Sequence, residues 1–150
     1  MRKVKRWHEY YLDLAAEVAT RSKDPSTQVG CVIVSPANQI LSTGYNGMPP
    51  GFDDTDDVWE RPKKYGLVVH AELNAVARAA MHGVAIDGAT AYVTHFPCSH
   101  CARALVSAGV KTVITYEGKM VKGWDEEHER AKYIICASGG RCTFIAPEST

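Results

Sequence analysis

The sequence predicts an α/β protein, a three-layer α/β/α sandwich on a five-stranded mixed sheet, with residues 1–150 forming one domain. Three observations carry that expectation. Short β-branched runs alternate with amphipathic stretches along the whole chain, which implies strands covered by helices on both faces. Stretches of helical character stop at Gly83 and Gly109, residues free to take the left-handed conformation that ends a helix. No internal repeat or low-complexity stretch suggests a solenoid or a tail, and 150 residues suffice to bury a core.

Each element has its own signal. Trp7, Tyr11, Leu14 and Val18 recur at helical spacing through residues 5–21 and predict an amphipathic first helix. Gln28 to Val34 is a β-branched run, Ser35-Pro36-Ala37-Asn38 a turn, and Ile40 to Thr43 a second strand. Residues 45–66 are rich in Gly, Pro and Asp and read as one long irregular segment, of a length that usually carries function in a compact domain. A second helix is expected from His70 to His82, a third strand from Ala89 to Thr94, a helix from Ser99 to Ser107 and a fourth strand from Val110 to Thr115. Trp124, His128, Ala131 and Ile135 mark a last helix, and Arg141 to Ile145 a fifth strand.

Composition narrows the classes. Hydrophobic residues make up 45% of the chain and charged ones 23%, ordinary values for a globular protein. No apolar run approaches the length needed to span a bilayer, and the start MRKVKRWHEY lacks the apolar core of a secretion signal, so a cytoplasmic protein is expected. Five cysteines, an odd number, speak against a disulfide scaffold and for a reducing compartment. A formal net charge of zero speaks against broad polynucleotide binding, and Arg2, Lys3, Lys5 and Arg6 read as a solvated helix start.

Two short segments carry chemistry: His70-Ala71-Glu72 and Pro97-Cys98-Ser99-His100-Cys101. One imidazole and two thiolates form a tetrahedral zinc set with the fourth position left for water. Glu72 lies too near His70 in the chain to share its metal and is placed to handle a proton from that water. Two thiolates cancel most of the metal's charge, so a carboxylate shuttle is needed. A structural site would want a fourth protein ligand, and Cys31, Cys136 and Cys142 supply no second C-x-x-C. Cys31 and Cys136 lie in apolar runs and read as buried core, while His95 and His100 read as packed or surface residues beside the motif. Both halves fall where a strand leads into a helix, so two helix N-termini face the metal and favour thiolates.

His-x-Glu with Pro-Cys-x-x-Cys is the signature of zinc nucleobase deaminases. The chain resembles, over nearly its whole length, the deoxycytidylate (dCMP) deaminase family of the cytidine deaminase-like superfamily. The resemblance rests on Arg21-Ser22-Lys23-Asp24-Pro25-Ser26-Thr27-Gln28-Val29-Gly30, Gly44-Tyr45-Asn46-Gly47-Met48-Pro49, the two zinc segments, Tyr92-Val93-Thr94 and Ser107-Ala108-Gly109-Val110-Lys111. It implies zinc-dependent hydrolysis of dCMP to dUMP and ammonia, which supplies dUMP for thymidylate synthesis. It also implies a homo-hexamer, activation by dCTP with Mg2+ and inhibition by dTTP. Phage members with a second zinc carry extra cysteines where this chain has Asp24 and Pro25, so one zinc per chain is expected. A tRNA or single-strand base deaminase shares the zinc motif, and a non-enzymatic zinc module would make Glu72 incidental; both stay open at this point.

The remaining candidates follow from the same match. Asn46, between Gly44 and Gly47, and Ala71, beside the metal ligand, are expected to touch substrate, although Asn-Gly is also a common turn dipeptide. Arg21, Ser22, Lys23 and Ser26 offer cationic and hydroxyl donors for a phosphate or ribose. Tyr116 and Trp124 could stack on a base but read as core or interface. An effector site is implied near Tyr45 and Gly47, with Arg61, Lys63 and Lys64 as triphosphate contacts and Asp53, Asp54, Asp56 and Asp57 around them.

Overall fold

The structure is a computed structural model and describes residues 1–148. In chain order its elements are α1 (Trp7–Ala19), β1 (Gly30–Val34), β2 (Ile40–Tyr45), two 3-10 turns (Asp56–Trp59 and Lys63–Gly66), α2 (Ala71–Met81), β3 (Thr90–Val93), α3 (Ser99–Ser107), β4 (Thr112–Tyr116), α4 (Asp125–Ala137) and β5 (Arg141–Ile145). The strands form one five-stranded sheet in the order β2-β1-β3-β4-β5. β1 runs antiparallel to both β2 and β3, and β3, β4 and β5 run parallel, so the sheet is mixed as expected. Parallel neighbours need a crossover, and α3 and α4 supply the two.

The two faces of the sheet are separated by the period-2 alternation of its strands. Cys31 and Ile33 of β1, Ala91 and Val93 of β3, and Val113 of β4 point to one side, where they pack with Ala75 of α2, Leu105 of α3 and Ile135 of α4. Val32, Val34, Tyr92 and Ile114 point to the other and pack against Tyr11, Leu12 and Ala15 of α1. The result is three layers, with α1 alone on one face.

Two glycines set how closely helices approach this sheet. A Cβ on Gly30 would stand 1.9 Å from the Ala15 carbonyl oxygen, and one on Gly44 would stand 2.3 Å from that of Ala71 and 2.5 Å from the Ala75 nitrogen. These approaches explain the small residues opposite, Ala15 and Ala19 on α1 and Ala71, Ala75 and Ala79 on α2, all buried.

Several boundaries and faces differ from the sequence reading. α1 buries Tyr11, Leu12, Ala15 and Ala19, whereas Leu14 and Val18 are half-buried and Trp7 is 58% exposed. The alanines face the sheet because Gly30 draws the strand in, and that rotates the larger apolar residues to the margin. β1 starts at Gly30 because the Val29 N–H is taken by the Asn46 side chain (2.8 Å). Cys136, expected in the core, is exposed, since Ile135 takes the buried face of α4 and the next residue turns about 100° away. The segment 45–66 is not wholly irregular: it holds the two 3-10 turns, and the Gly47–Val69 backbone pair closes the base of the loop. No helix among the described residues is long and apolar enough to cross a membrane.

Gly44→Ala should push α2 away from β2 and cost at least about 1–3 kcal/mol, the usual penalty for overpacking a tight contact. Denaturant unfolding measures this, and a stability equal to wild type would show that β2 and α2 can move apart freely.

Candidate metal centre and cavity

His70 and Cys98 are the N-cap residues of α2 and α3, and Cys101 lies in the first turn of α3. Neither cap residue makes a side-chain bond to its own helix. Their polar atoms are turned to one another instead: the Cys98 and Cys101 sulfurs each lie 3.5 Å from His70 Nδ1, and all three donor atoms fall within 4.8 Å of one another. Tetrahedral zinc with ordinary Zn–N and Zn–S bonds places nitrogen and sulfur ligands about 3.6 Å apart. The donor set and its spacing therefore fit zinc.

Hydrogen bonds from Cys101 and then from His70 pull the Cys98 thiol down to about 4. Cys101 is held protonated by its bond to Cys98 and by burial. The bond to Cys98 also raises the His70 pKa. A bound cation takes over the role of these protons, so binding releases them.

Glu72 is 4% exposed, and burial raises its carboxyl above the usual range. It faces Cys101 and a cavity of about 330 Å³ whose wall also includes His70, Ala71 and Cys98. The cavity opens where the start of β1, the end of β2 and the end of β3 lie side by side. Ser26 and Asn46 line it from the first two, and His95, Phe96 and Pro97 from the third. The loop contributes Arg61, Lys64, Tyr65 and Val68, and the approach to α4 contributes Val121, Lys122 and Trp124. The Trp124 ring stacks along His70 at 6.3 Å between centroids. Burial keeps His95 below the ordinary histidine pKa, whereas His100 points to the surface beside Arg103.

The other sequence candidates divide. Asn46 lines the cavity, but its amide is engaged within the protein: Oδ1 accepts from the Val29 N–H, and Nδ2 donates to the Thr27 carbonyl (2.9 Å) and to Asp24 (3.4 Å). Arg21 is exposed and does not line the cavity, Ser22 donates to the Asn46 carbonyl (2.8 Å), and Lys23 pairs at the surface with Asp54 (3.3 Å). Lys63 pairs with Asp57 (2.6 Å). Tyr45 is half-buried and accepts from Asn74 through its carbonyl, and Gly47 is held in its pair with Val69. Tyr116 packs beside α1 on the opposite face of the sheet.

Lys64 is buried and bonds both oxygens of Asp24 (3.0 and 3.1 Å), with side-chain exposures of 5% and 6%. The sequence places Lys64 on a triphosphate and Asp24 within the segment that carries the family resemblance, with no role of its own. Nothing local announces a pair 40 residues apart. Lys122 and Tyr65 were missed for the same reason: they sit in loops with no motif of their own. Burial pushes the Asp24 carboxyl up, but bonds from the Ser26 N–H and the Lys64 ammonium outweigh it and hold the pKa below the ordinary value.

Because the folded carboxyl titrates below the unfolded one, near 3.9, the Asp24 contribution is present above that pH and is lost as pH falls through the folded value. Lys64→Met removes the partner, leaves burial dominant and raises the Asp24 pKa. At pH 7 the variant should lose about 3–5 kcal/mol, and the loss should shrink toward pH 5 as Asp24 takes up a proton. Urea unfolding at both pH values decides it, and an equal deficit at each would mean that Asp24 stays charged in the folded variant, its pKa not raised into that range.

Comparison with known proteins follows the same lines. The profile of the cytidine and deoxycytidylate deaminase zinc-binding region matches residues 5–117. A deoxycytidylate deaminase of Mus musculus is 43% identical over 119 residues, which cover 75% of this chain and 66% of the mouse protein. The chain thus spans about two thirds of that relative's length. A protein of Aliivibrio fischeri, described as an uncharacterized deaminase in the luxG 3' region, is 35% identical over 144 residues, 95% of each chain. The crystal structure of the dCMP deaminase from cyanophage S-TIM5 in complex with dCMP and dUMP superposes with a TM-score of 0.77 at 26% identity, covering 96% of this chain and 100% of that one. The chain belongs to the cytidine and deoxycytidylate deaminase family.

Proposed function

We propose that this member of the deaminase family hydrolyses dCMP to dUMP and ammonia, and so feeds dUMP to thymidylate synthesis. The observation that carries the reading is the juxtaposition of the His70, Cys98 and Cys101 donors with the buried Glu72 at one cavity. Relatives named deoxycytidylate deaminase and the nucleotide complex of the cyanophage enzyme support the choice of substrate.

His70, Cys98 and Cys101 would hold zinc, which would supply the Lewis acidity to activate a water at neutral pH. The chain's own residues do the rest. Glu72 would take the two protons of the water in turn, passing the first to the ring nitrogen and, once the oxygen is on the ring carbon, the second to the departing amine, which leaves as ammonia. Its burial suits both directions of transfer, because a carboxyl raised toward neutrality can hold and release a proton. Trp124 offers an aromatic face for the pyrimidine beside His70.

For the phosphate, the support lies in Arg61 and Lys122. Both are exposed at the cavity, and neither is in an ion pair among the described residues, whereas Lys23, Lys63 and Lys64 are. An anion bridging the loop and the approach to α4 would meet two cations whose charge no carboxylate has answered.

The reading extends to a hexamer activated by dCTP with Mg2+ and inhibited by dTTP. Its support is mechanical: the loop implied for the effector also lines the cavity and is anchored to it through Lys64 and Asp24. Lys64 is thereby committed to the interior, which leaves Arg61 as the loop cation for either phosphate.

Glu72→Gln should keep zinc and fold yet lose several orders of magnitude in rate, since an amide cannot shuttle protons. Turnover within about tenfold of wild type, some 1.4 kcal/mol of barrier, would require another proton route.

Among dCMP, CMP, deoxycytidine, dCTP and a tRNA assayed for ammonia release, dCMP should be strongly preferred to deoxycytidine. Arg61→Gln or Lys122→Gln should raise KM for dCMP about ten- to a hundredfold and leave deoxycytidine unchanged, one charge-assisted bond being worth roughly 1.5–3 kcal/mol. Equal use of nucleoside and nucleotide would move the protein to a nucleoside deaminase, and selective use of tRNA would favour the polynucleotide reading. Saturation by dCMP should be sigmoidal alone, hyperbolic with dCTP and right-shifted with dTTP; insensitivity to both would remove regulation and leave the deaminase assignment intact.

A further inference from the structure

The N-terminus of α3 poses a problem that its own sequence does not solve. A helix start exposes backbone N–H groups that an N-cap side chain ordinarily satisfies. Here the N-cap is Cys98, which makes no cap bond because its sulfur is turned toward His70 and Cys101. An acceptor for the first of these N–H groups comes from another helix. Glu127, in the first turn of α4, accepts the Ser99 N–H through Oε2 at 2.9 Å. Its other oxygen, Oε1, accepts from Arg130 at 2.6 Å, so both oxygens are held.

We infer that Glu127 is a positioning residue for the zinc centre: it caps α3 from outside and thereby fixes the spacing of Cys98 and Cys101. Ser99 lies directly between Cys98 and the rest of that first turn and is itself buried, so its N–H has no solvent alternative. If the turn frayed, the two sulfurs would move relative to each other, because one belongs to the cap residue and the other to the turn above it. The carboxylate also brings negative charge to a helix start, where the helix dipole favours it. The ordinary pKa of Glu127 is lowered, first by the Ser99 backbone bond, consistent with a carboxylate that stays ionised. Partners of this kind, one step removed from the metal, commonly govern affinity by a factor of ten to a hundred when removed.

The inference rests on the zinc reading of His70, Cys98 and Cys101, and the experiment separates the two. Zinc retention of the holoprotein is measured by competition with a graded chelator for wild type, Glu127→Ala, Glu127→Gln and Ile135→Val, with urea unfolding of each. Ile135 is buried on the same helix, eight residues beyond Glu127, so its variant loosens the packing of α4 while leaving the Glu127 carboxylate in place. Glu127→Ala should hold zinc about 10–100-fold more weakly. Glu127→Gln, whose amide oxygen can still accept the Ser99 N–H, should recover most of that loss. In cobalt-substituted protein the sulfur-to-cobalt charge-transfer bands should shift in Glu127→Ala and stay in place in Ile135→Val. Unchanged zinc retention in Glu127→Ala, or an equal fall in Ile135→Val at similar stability, overturns the role of Glu127. A wild-type protein that holds no zinc at all overturns the metal assignment, and the role with it.

Discussion

Two helix N-termini have to meet at one point, and the architecture of this chain follows from that requirement. The metal donors occupy the cap of α2, the cap of α3 and the first turn of α3, so their spacing is a spacing between helices. Nothing in either helix alone can set it. The sheet does: β2 lies along α2, β3 leads directly into α3, and β1 lies between β2 and β3. Gly44 lets α2 settle against β2 at a distance no side chain would permit, and the alanines of α2 keep the approach uniform along the helix. Backbone close packing thus delivers His70 to the sulfurs, and the ligands need only have the right rotamers.

The two buried carboxylates near the cavity show how surroundings divide labour. Glu72 and Asp24 are about equally shielded from water, yet burial dominates for Glu72 and raises it, while hydrogen bonds dominate for Asp24 and lower it. Asp24 receives two backbone N–H groups and an ammonium, a full set for an anion. Among the described residues no cationic side chain is bonded to Glu72, so its charge is costly and a proton is readily held. The first arrangement makes an anchor, tying the loop that carries Lys64 to the residues preceding β1. The second suits the acid–base role proposed for Glu72. The same functional group serves in both because the protein spends its donors on one carboxylate and withholds them from the other.

How much of this was legible beforehand depended on whether the determining partner was near in sequence. The metal donors were, because coordination chemistry fixes residue type and local spacing whatever the fold. The strands were too, since the alternation of Val32 and Val34 with Cys31 and Ile33 is written into five consecutive residues. The buried face of α1 was not legible, because it depends on Gly30 eleven residues beyond the helix end. Neither was the fate of Asn46 and Lys64, whose partner Asp24 lies 22 and 40 residues away. An asparagine between two glycines looks like a free hydrogen-bonding group until its amide is found spanning the start of β1 and the end of β2. A lysine among charged neighbours looks solvated until a buried carboxylate is found opposite it.

A helix whose cap side chain is turned to a metal gains from an acceptor brought to its first turn from elsewhere, and that acceptor links parts of the fold that would otherwise be independent. In α2 the first turn is buried against β2 through Ala71 and Gly44, so packing confines it. In α3 the N–H groups have no strand beside them, and the acceptor is drawn from α4. Docking of α4 thereby becomes part of the metal site, although no atom of that helix is a ligand. The same helix start brings Trp124 to the cavity and sets its ring along His70. Metal binding, closure of the aromatic wall and the seating of the last crossover onto the sheet therefore share one contact surface. Binding free energy at a metal held there would also be folding free energy for α4, which would help three protein ligands keep the centre in one arrangement.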